Sequence, residues 1–170
     1  CETWIHTIHQ WFMKNKNYST LAMRSVFKKI ARSTREVQIQ RTDKIKVGVV
    51  GEIYVKFSPM GNNDLKAFLE SQDCEVNMPG VMGYVEYCIA NFALDIEYYG
   101  GKKYMQIIWK MGLAILDSLN SSMRKSMERY GFTGPGSFKK IMDGTKGIIH
   151  LGAKMGEGWL LSGEMVELLR

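Results

Sequence analysis

Glu52 follows the short apolar run Val47–Val50 after one glycine, Gly51, in the stretch KIKVGVVGEIYVKFSPMGNN, residues 44–63. A carboxylate just beyond a strand end can act as a general base or orient a ligand. It can equally cap or salt-bridge the following helix, which is the commoner role. Glu157 is a second such carboxylate, standing between Gly156 and Gly158 in GAKMGEGWLLSGEM, residues 152–165. Glycines on both sides mark a place where backbone approaches something closely. Glu164 in the same stretch reads in the same two ways. Asn62 and Asn63 follow a Pro-Met-Gly turn and suit the cap of the next helix. Trp159 can line a pocket, although a tryptophan at a helix start more often packs into a core.

The spacing GVVGE is neither the dinucleotide GxGxxG nor a phosphate loop. Three segments nevertheless converge if the sheet is parallel: Gly51-Glu52 with Asn62-Asn63, Pro79-Gly80, and Gly152–Trp159. Ligands of open parallel sheets bind beyond the carboxyl ends of the strands, where helix N-termini offer free N–H groups to phosphate or carboxylate.

Other candidate ligands are sparse. His6 and His9 share a helical face, but no third ligand accompanies them, so a surface pair is expected and no metal site. His150, after the apolar run 148–149, is either a core histidine or a site residue, with the core reading ahead. Cys1, Cys74 and Cys88 are odd in number and widely separated. Reduced thiols in a cytoplasmic setting follow, and a cubane cluster held by this chain alone does not. The methionines at 105, 111, 123 and 127 lie on apolar helix faces, as core filler or as an interface.

The elements that must position these residues are legible from period and punctuation. Trp4, Ile5, Ile8, Trp11 and Phe12 predict a helix over 2–14, broken at Asn15–Ser19. Leu21, Ala22, Val26, Phe27 and Ile30 predict a second, ending before Gln38–Asp43. Val47–Val50 reads as a strand covered on both faces, the segment after Asn62-Asn63 as a helix, and Cys74–Met78 as a second, parallel strand. Pro79-Gly80 leads into a helix carrying Val81, Val85, Cys88, Ile89 and Phe92. After Gly100-Gly101 a long helix spans 102–130, with Tyr104, Ile108, Met111, Ile115 and Leu119 in register, and Gly131 stops it. The loop FTGPGS, a helix over Ser137–Met142, a third short strand at Ile148–Leu151 and a helix over 158–170 complete the chain. The expected fold is α/β, helix-rich, with a short parallel sheet of Rossmann-like or flavodoxin-like type flanked by long helices. An N-terminal helical segment, 1–43, precedes an α/β segment, 44–170, with a helical insertion around 81–130.

The sequence has 170 residues, a net charge of +6 and no apolar run near the ~20 residues a membrane helix needs. The basic residues are spread over helix faces and no basic-aromatic recognition motif accompanies them. Neither a nucleic-acid partner nor a membrane partner is expected. The chain starts at Cys1 and ends inside apparent helix, which reads as a segment of a larger protein.

KVGVVGEIYVKFSPMGNNDLKAFLESQDCEV together with GEGWLLSGEMVELL resembles the 2-hydroxyacyl-CoA dehydratase-related proteins of anaerobes. The likeness is greatest to the later portion of large CoA-substrate-specific enzyme activases, over about residues 40–170. It implies a segment of a protein that handles low-potential electrons with a [4Fe–4S] cluster and acts in acyl-CoA chemistry. Its partners would be other domains of the parent protein or dehydratase subunits. Glu52, Asn62, Asn63, Gly156, Glu157, Gly158 and Trp159 are the motif positions that carry over. The ATPase phosphate loops and the cluster-region cysteine segment have no counterpart here, so the chain alone is expected to be inactive. Two other readings stay open: a stand-alone phosphate- or nucleotide-binding regulatory module, and a structural interaction domain.

Overall fold

A computed structural model describes residues 2–14, 19–38, 42–132, 134 and 136–169. Of the breaks expected at Asn15–Ser19 and Gln38–Asp43, residues 15–18 and 39–41 lie outside the described residues, as do parts of the FTGPGS loop and both chain ends. The chain divides into two compact units, Cys1–Gln40 with Ser118–Gly134, and Arg41–Asp117 with Pro135–Arg170.

The first unit contains α1 (Glu2–Lys14), α2 (Thr20–Thr34) and the C-terminal part of α7 (Lys103–Arg129). Ser19 caps α2, its hydroxyl accepting from the Ala22 amide at 3.2 Å. Arg24 donates to the Ser118 hydroxyl at 2.8 Å, and Ala31 is fully buried. Gly131, at φ 82°, follows the end of α7, a left-handed position that glycine adopts at little cost.

The second unit is helix-rich and holds the sheet, two parallel strands: β1 (Ile45–Gly48) and β2 (Cys74–Asn77), in register from Ile45 opposite Cys74 to Gly48 opposite Asn77. Three short helices connect them, α3 (Ile53–Phe57), α4 (Pro59–Asn62) and α5 (Leu65–Ser71). β1 begins two residues earlier than expected and is not covered on both faces; Ile45, Lys46 and Gly48 are exposed, Ile45 at 74%, and Val47 is half-buried. Two strands offer too little area for a complete helical layer on each side. Contact is tight at Gly48, where an added Cβ would lie 2.9 Å from the Leu168 side chain. The third strand expected at Ile148–Leu151 is absent. Residues 145–148 form turns instead, held by Ile148 and Ile149 amides donating to the Thr145 carbonyl.

The core lies in the helices. It joins Tyr87, Ala90 and Leu94 of α6 (Val81–Tyr99), Phe138 and Ile141 of α8 (Phe138–Gly144), and Trp159 and Leu160 of α9 (Gly158–Leu168). α8 and α9 approach closely because Gly163 has no side chain: a Cβ there would lie 2.6 Å from the Ile141 carbonyl oxygen. α6 and α7, joined through Gly100-Gly101, pack through stacked Phe92 and Trp109 rings 4.7 Å apart and a Lys110–Glu97 ion pair at 3.2 Å. Among the described residues no helix is long and apolar enough to cross a membrane.

Candidate functional site

Beyond the carboxyl end of β1 the chain turns through Val49–Gly51 into α3, whose N-terminus meets the loop before α9. Glu52 is the N-cap of α3 and its carboxylate accepts from the Val55 amide at 2.9 Å. Glu157, 6% exposed, reaches across from that loop, and its Oε1 accepts from the Ile53 amide at 2.6 Å. Two of the N–H groups that could attract an external anion at this helix start, those of Ile53 and Val55, are therefore taken by carboxylates of the chain itself. Carboxylates of the chain thus take a position suited to an external phosphate or carboxylate.

One turn deeper, Lys56 and Glu164 form an ion pair at 3.2 Å, with side chains only 2% and 1% exposed. Lys56 carries the charge of α3 inward and Glu164 that of α9. Burial pushes the Glu164 carboxyl above the ordinary carboxylate range; Lys56 pulls it back and the neighbouring Glu157 charge pushes it further up. Gly83 of α6 faces the pair; a Cβ on it would stand 3.8 Å from Glu164 Oε1, an ordinary contact distance. The second oxygen of Glu157 is buried without a hydrogen-bond partner.

α6 closes this cluster from the other side. Tyr87 donates to the Gly156 carbonyl at 3.0 Å, and its hydroxyl is pushed up, chiefly by burial. The Tyr84 hydroxyl is also raised, first by its hydrogen bond with Cys88 and then by the charges of Cys88, Glu157 and Glu52. Trp159 packs 4.8 Å from the Tyr87 ring and donates from its indole nitrogen to Asn91 Oδ1 at 3.1 Å. It is a core residue with a satisfied N–H, not a pocket wall.

The remaining motif positions shape backbone. Asn62 donates to the Val55 and Lys56 carbonyls at 2.9 and 3.0 Å and accepts from the Leu65 amide at 3.3 Å, so it ties the end of α3 to the start of α5. Asn63 is exposed and left-handed at φ 54°, as is Asp64 after it. Gly156, at φ 60°, allows the reversal that aims Glu157 inward. An added Cβ on Gly158 would lie 2.4 Å from the Ala153 carbonyl oxygen. Glu52, Gly156, Glu157, Gly158 and Trp159 are thus brought together with Lys56 and Glu164, while Asn62 and Asn63 stand at the far end of α3. Lys56 was invisible to periodicity, because a five-residue helix presents too few positions to define a buried face.

His150 lies elsewhere, beside a shallow cleft of about 410 Å³ lined by Tyr98 and residues 145–151. Its Nδ1 accepts from the Gly152 amide at 3.0 Å and its ring lies 4.8 Å from that of Tyr98; it is exposed, not a core histidine. Cys74 is half-buried on β2 and Cys88 half-buried on α6. Among the described residues no three histidine, cysteine or acidic side chains are grouped to hold a metal.

Removing one member of the buried pair leaves an uncompensated charge. Lys56→Met is expected to lower the unfolding free energy by about 3–5 kcal/mol, while Lys56→Met with Glu164→Leu recovers most of it. Urea unfolding of the three proteins measures this, and an undiminished loss in the double variant contradicts it. A carboxyl whose folded-state pKa is raised binds its proton more tightly in the folded chain. The stability it contributes is full below the ordinary value of 4.5 and is lost as pH rises through the raised value. Wild type minus Glu164→Gln, compared by denaturation at stepped pH, is therefore expected to fall from acid toward neutral pH. A flat difference contradicts that sign.

No family model, curated protein or solved structure matches this chain.

Proposed function

We propose that this chain is a segment of a 2-hydroxyacyl-CoA dehydratase-related protein of the large activase type, with its short parallel sheet the remnant of a Rossmann-like or flavodoxin-like arrangement. One observation supports the reading above the others. The two stretches that carry the resemblance, about 100 residues apart, are physically one assembly: Ile53 of GEIYVKF donates to Glu157 of GEGW, and Lys56 of the first pairs with Glu164 of LSGEM. Two motifs that interlock through buried charges form a single signature.

In this reading the segment is a cytoplasmic scaffold, inactive alone, that joins other domains of its parent or dehydratase subunits acting on acyl-CoA. The described residues do not fit a [4Fe–4S] cluster. Cys74 on β2 points its sulfur toward the Gln72 carbonyl at 3.7 Å, Cys88 lies on α6, and no third cysteine, histidine or acid joins either among the described residues, so no step is routed through a cluster on this chain. The phosphate-module reading is weaker, because Glu52 and Glu157 occupy the amides at the start of α3. The gene product that contains this segment, purified without oxygen and reduced with dithionite, is expected to contain iron and sulfide and to give a cubane electron paramagnetic resonance signal. A folded, iron-free product contradicts the proposal.

A further inference from the structure

Folding gathers the basic residues that the sequence spreads along the chain. The first unit, residues 1–40 and 118–134, holds ten lysines and arginines against three acids, a net +7. The second unit holds thirteen against fourteen, so the whole positive excess lies in the first. Half of those ten, Arg24, Lys28, Lys29, Arg32 and Arg35, belong to α2 and its C-cap, and α2 contains no acid. At 3.6 residues per turn Lys28, Lys29, Arg32 and Arg35 fall within an arc of about 120°, and all four are exposed. Val26, Phe27, Ile30 and Ala31 fall on the opposite side and are half-buried or buried. Arg24, donating to Ser118, ties the helix to α7.

None of the four exposed cations is in an ion pair among the described residues. Lys28 and Arg32 stand one turn apart, a spacing at which like charges repel. Arg32 and Arg35 suit the negative end of the helix, but Lys28 and Lys29 lie a turn earlier and gain little from it. The patch therefore calls for an anion from outside. A lipid surface takes an amphipathic helix through its apolar face, and that face of α2 is turned into the protein, with Leu21 alone exposed among its large apolar residues. A single nucleic-acid strand is held by aromatic rings that stack on bases beside the cations, and no aromatic residue stands on this arc. A duplex carries one negative charge per about 1.7 Å of its axis. The span from Lys28 to Arg35, about 10.5 Å, faces about six of those charges.

We propose that the basic face of α2 binds the phosphate backbone of a nucleic-acid duplex, with Lys28, Lys29, Arg32 and Arg35 each neutralising a phosphate. The missing recognition motif, which argued against a nucleic-acid partner, bears on the reading of bases and not on contact with phosphates. The inference stands independently of the dehydratase reading, since it uses none of the motif residues.

Fluorescence anisotropy of a short labelled duplex titrated with the full chain tests it, with DNA and RNA in separate titrations. For DNA the logarithm of the association constant is expected to fall with that of salt concentration at a slope of about −3.6, the value for four phosphates. Lys28→Glu with Arg32→Glu should weaken binding by more than roughly tenfold and flatten the slope by about two, with unchanged far-ultraviolet circular dichroism. Lys139→Glu with Lys140→Glu, an exposed pair on α8, changes net charge equally and should leave binding near that of the wild type. Either duplex bound in this way supports the proposal. A chain that binds neither overturns it, as does equal loss in the two double variants. So does tighter binding to a single strand, or binding only to vesicles that contain phosphatidylserine.

Discussion

An ammonium and a carboxylate placed together in a protein interior each lose several kcal/mol of hydration, and only close geometry with further hydrogen bonds offsets that loss. The Lys56–Glu164 pair accepts this penalty at the junction of α3 and α9. Around it the chain is arranged to make the geometry unique. Gly156 reverses the backbone so that Glu157 points inward, and Glu157 fastens the first amide of α3. An apolar contact tolerates sliding, whereas a buried charge has one acceptable position. The pair therefore sets where α3 lies against α9, and with it the path leaving β1.

The same arrangement limits the chemistry. A strand end followed by a helix start is a ready anion site in many α/β proteins. Here the helix start is neutralised from within, by Glu52 on its own turn and Glu157 from the distant loop. Three acidic groups, Glu52, Glu157 and Glu164, with a single buried lysine favour protons and hydrogen-bond donors over phosphates. The catalytic look of Glu157 in isolation becomes, in context, a structural role on one oxygen, Oε1, and a buried acceptor on the other.

Much of this was legible in residue order. The helix bounds from α6 onward follow from Pro79-Gly80, Gly100-Gly101, Gly131 and apolar period, and the parallel pairing of β1 with β2 follows from two short runs separated by helical sequence. What failed was inference about burial. Val47–Val50 has the β-branched composition of a strand covered on both faces, yet a two-stranded sheet does not recruit the helices to cover it. Ile148–Leu151 has strand composition, but Gly147 at φ 77° and the Thr145 carbonyl draw it into a turn. The stripe at 104, 108, 111 and 115 has the period of a core face and meets solvent. Periodicity finds an apolar face without saying what covers it. Likewise the acids of the candidate site were visible as types, while their partner Lys56 was hidden in a helix too short to show a pattern.

The account depends most on the link between the two motif stretches, and amide hydrogen exchange at Ile53 measures that link directly. Its N–H is the one bonded to Glu157 Oε1. The account predicts slow exchange in the wild type, comparable to amides of α9, and rapid exchange in Glu157→Ala while the amides within α9 remain protected. Rapid exchange at Ile53 in the folded wild-type protein would contradict it.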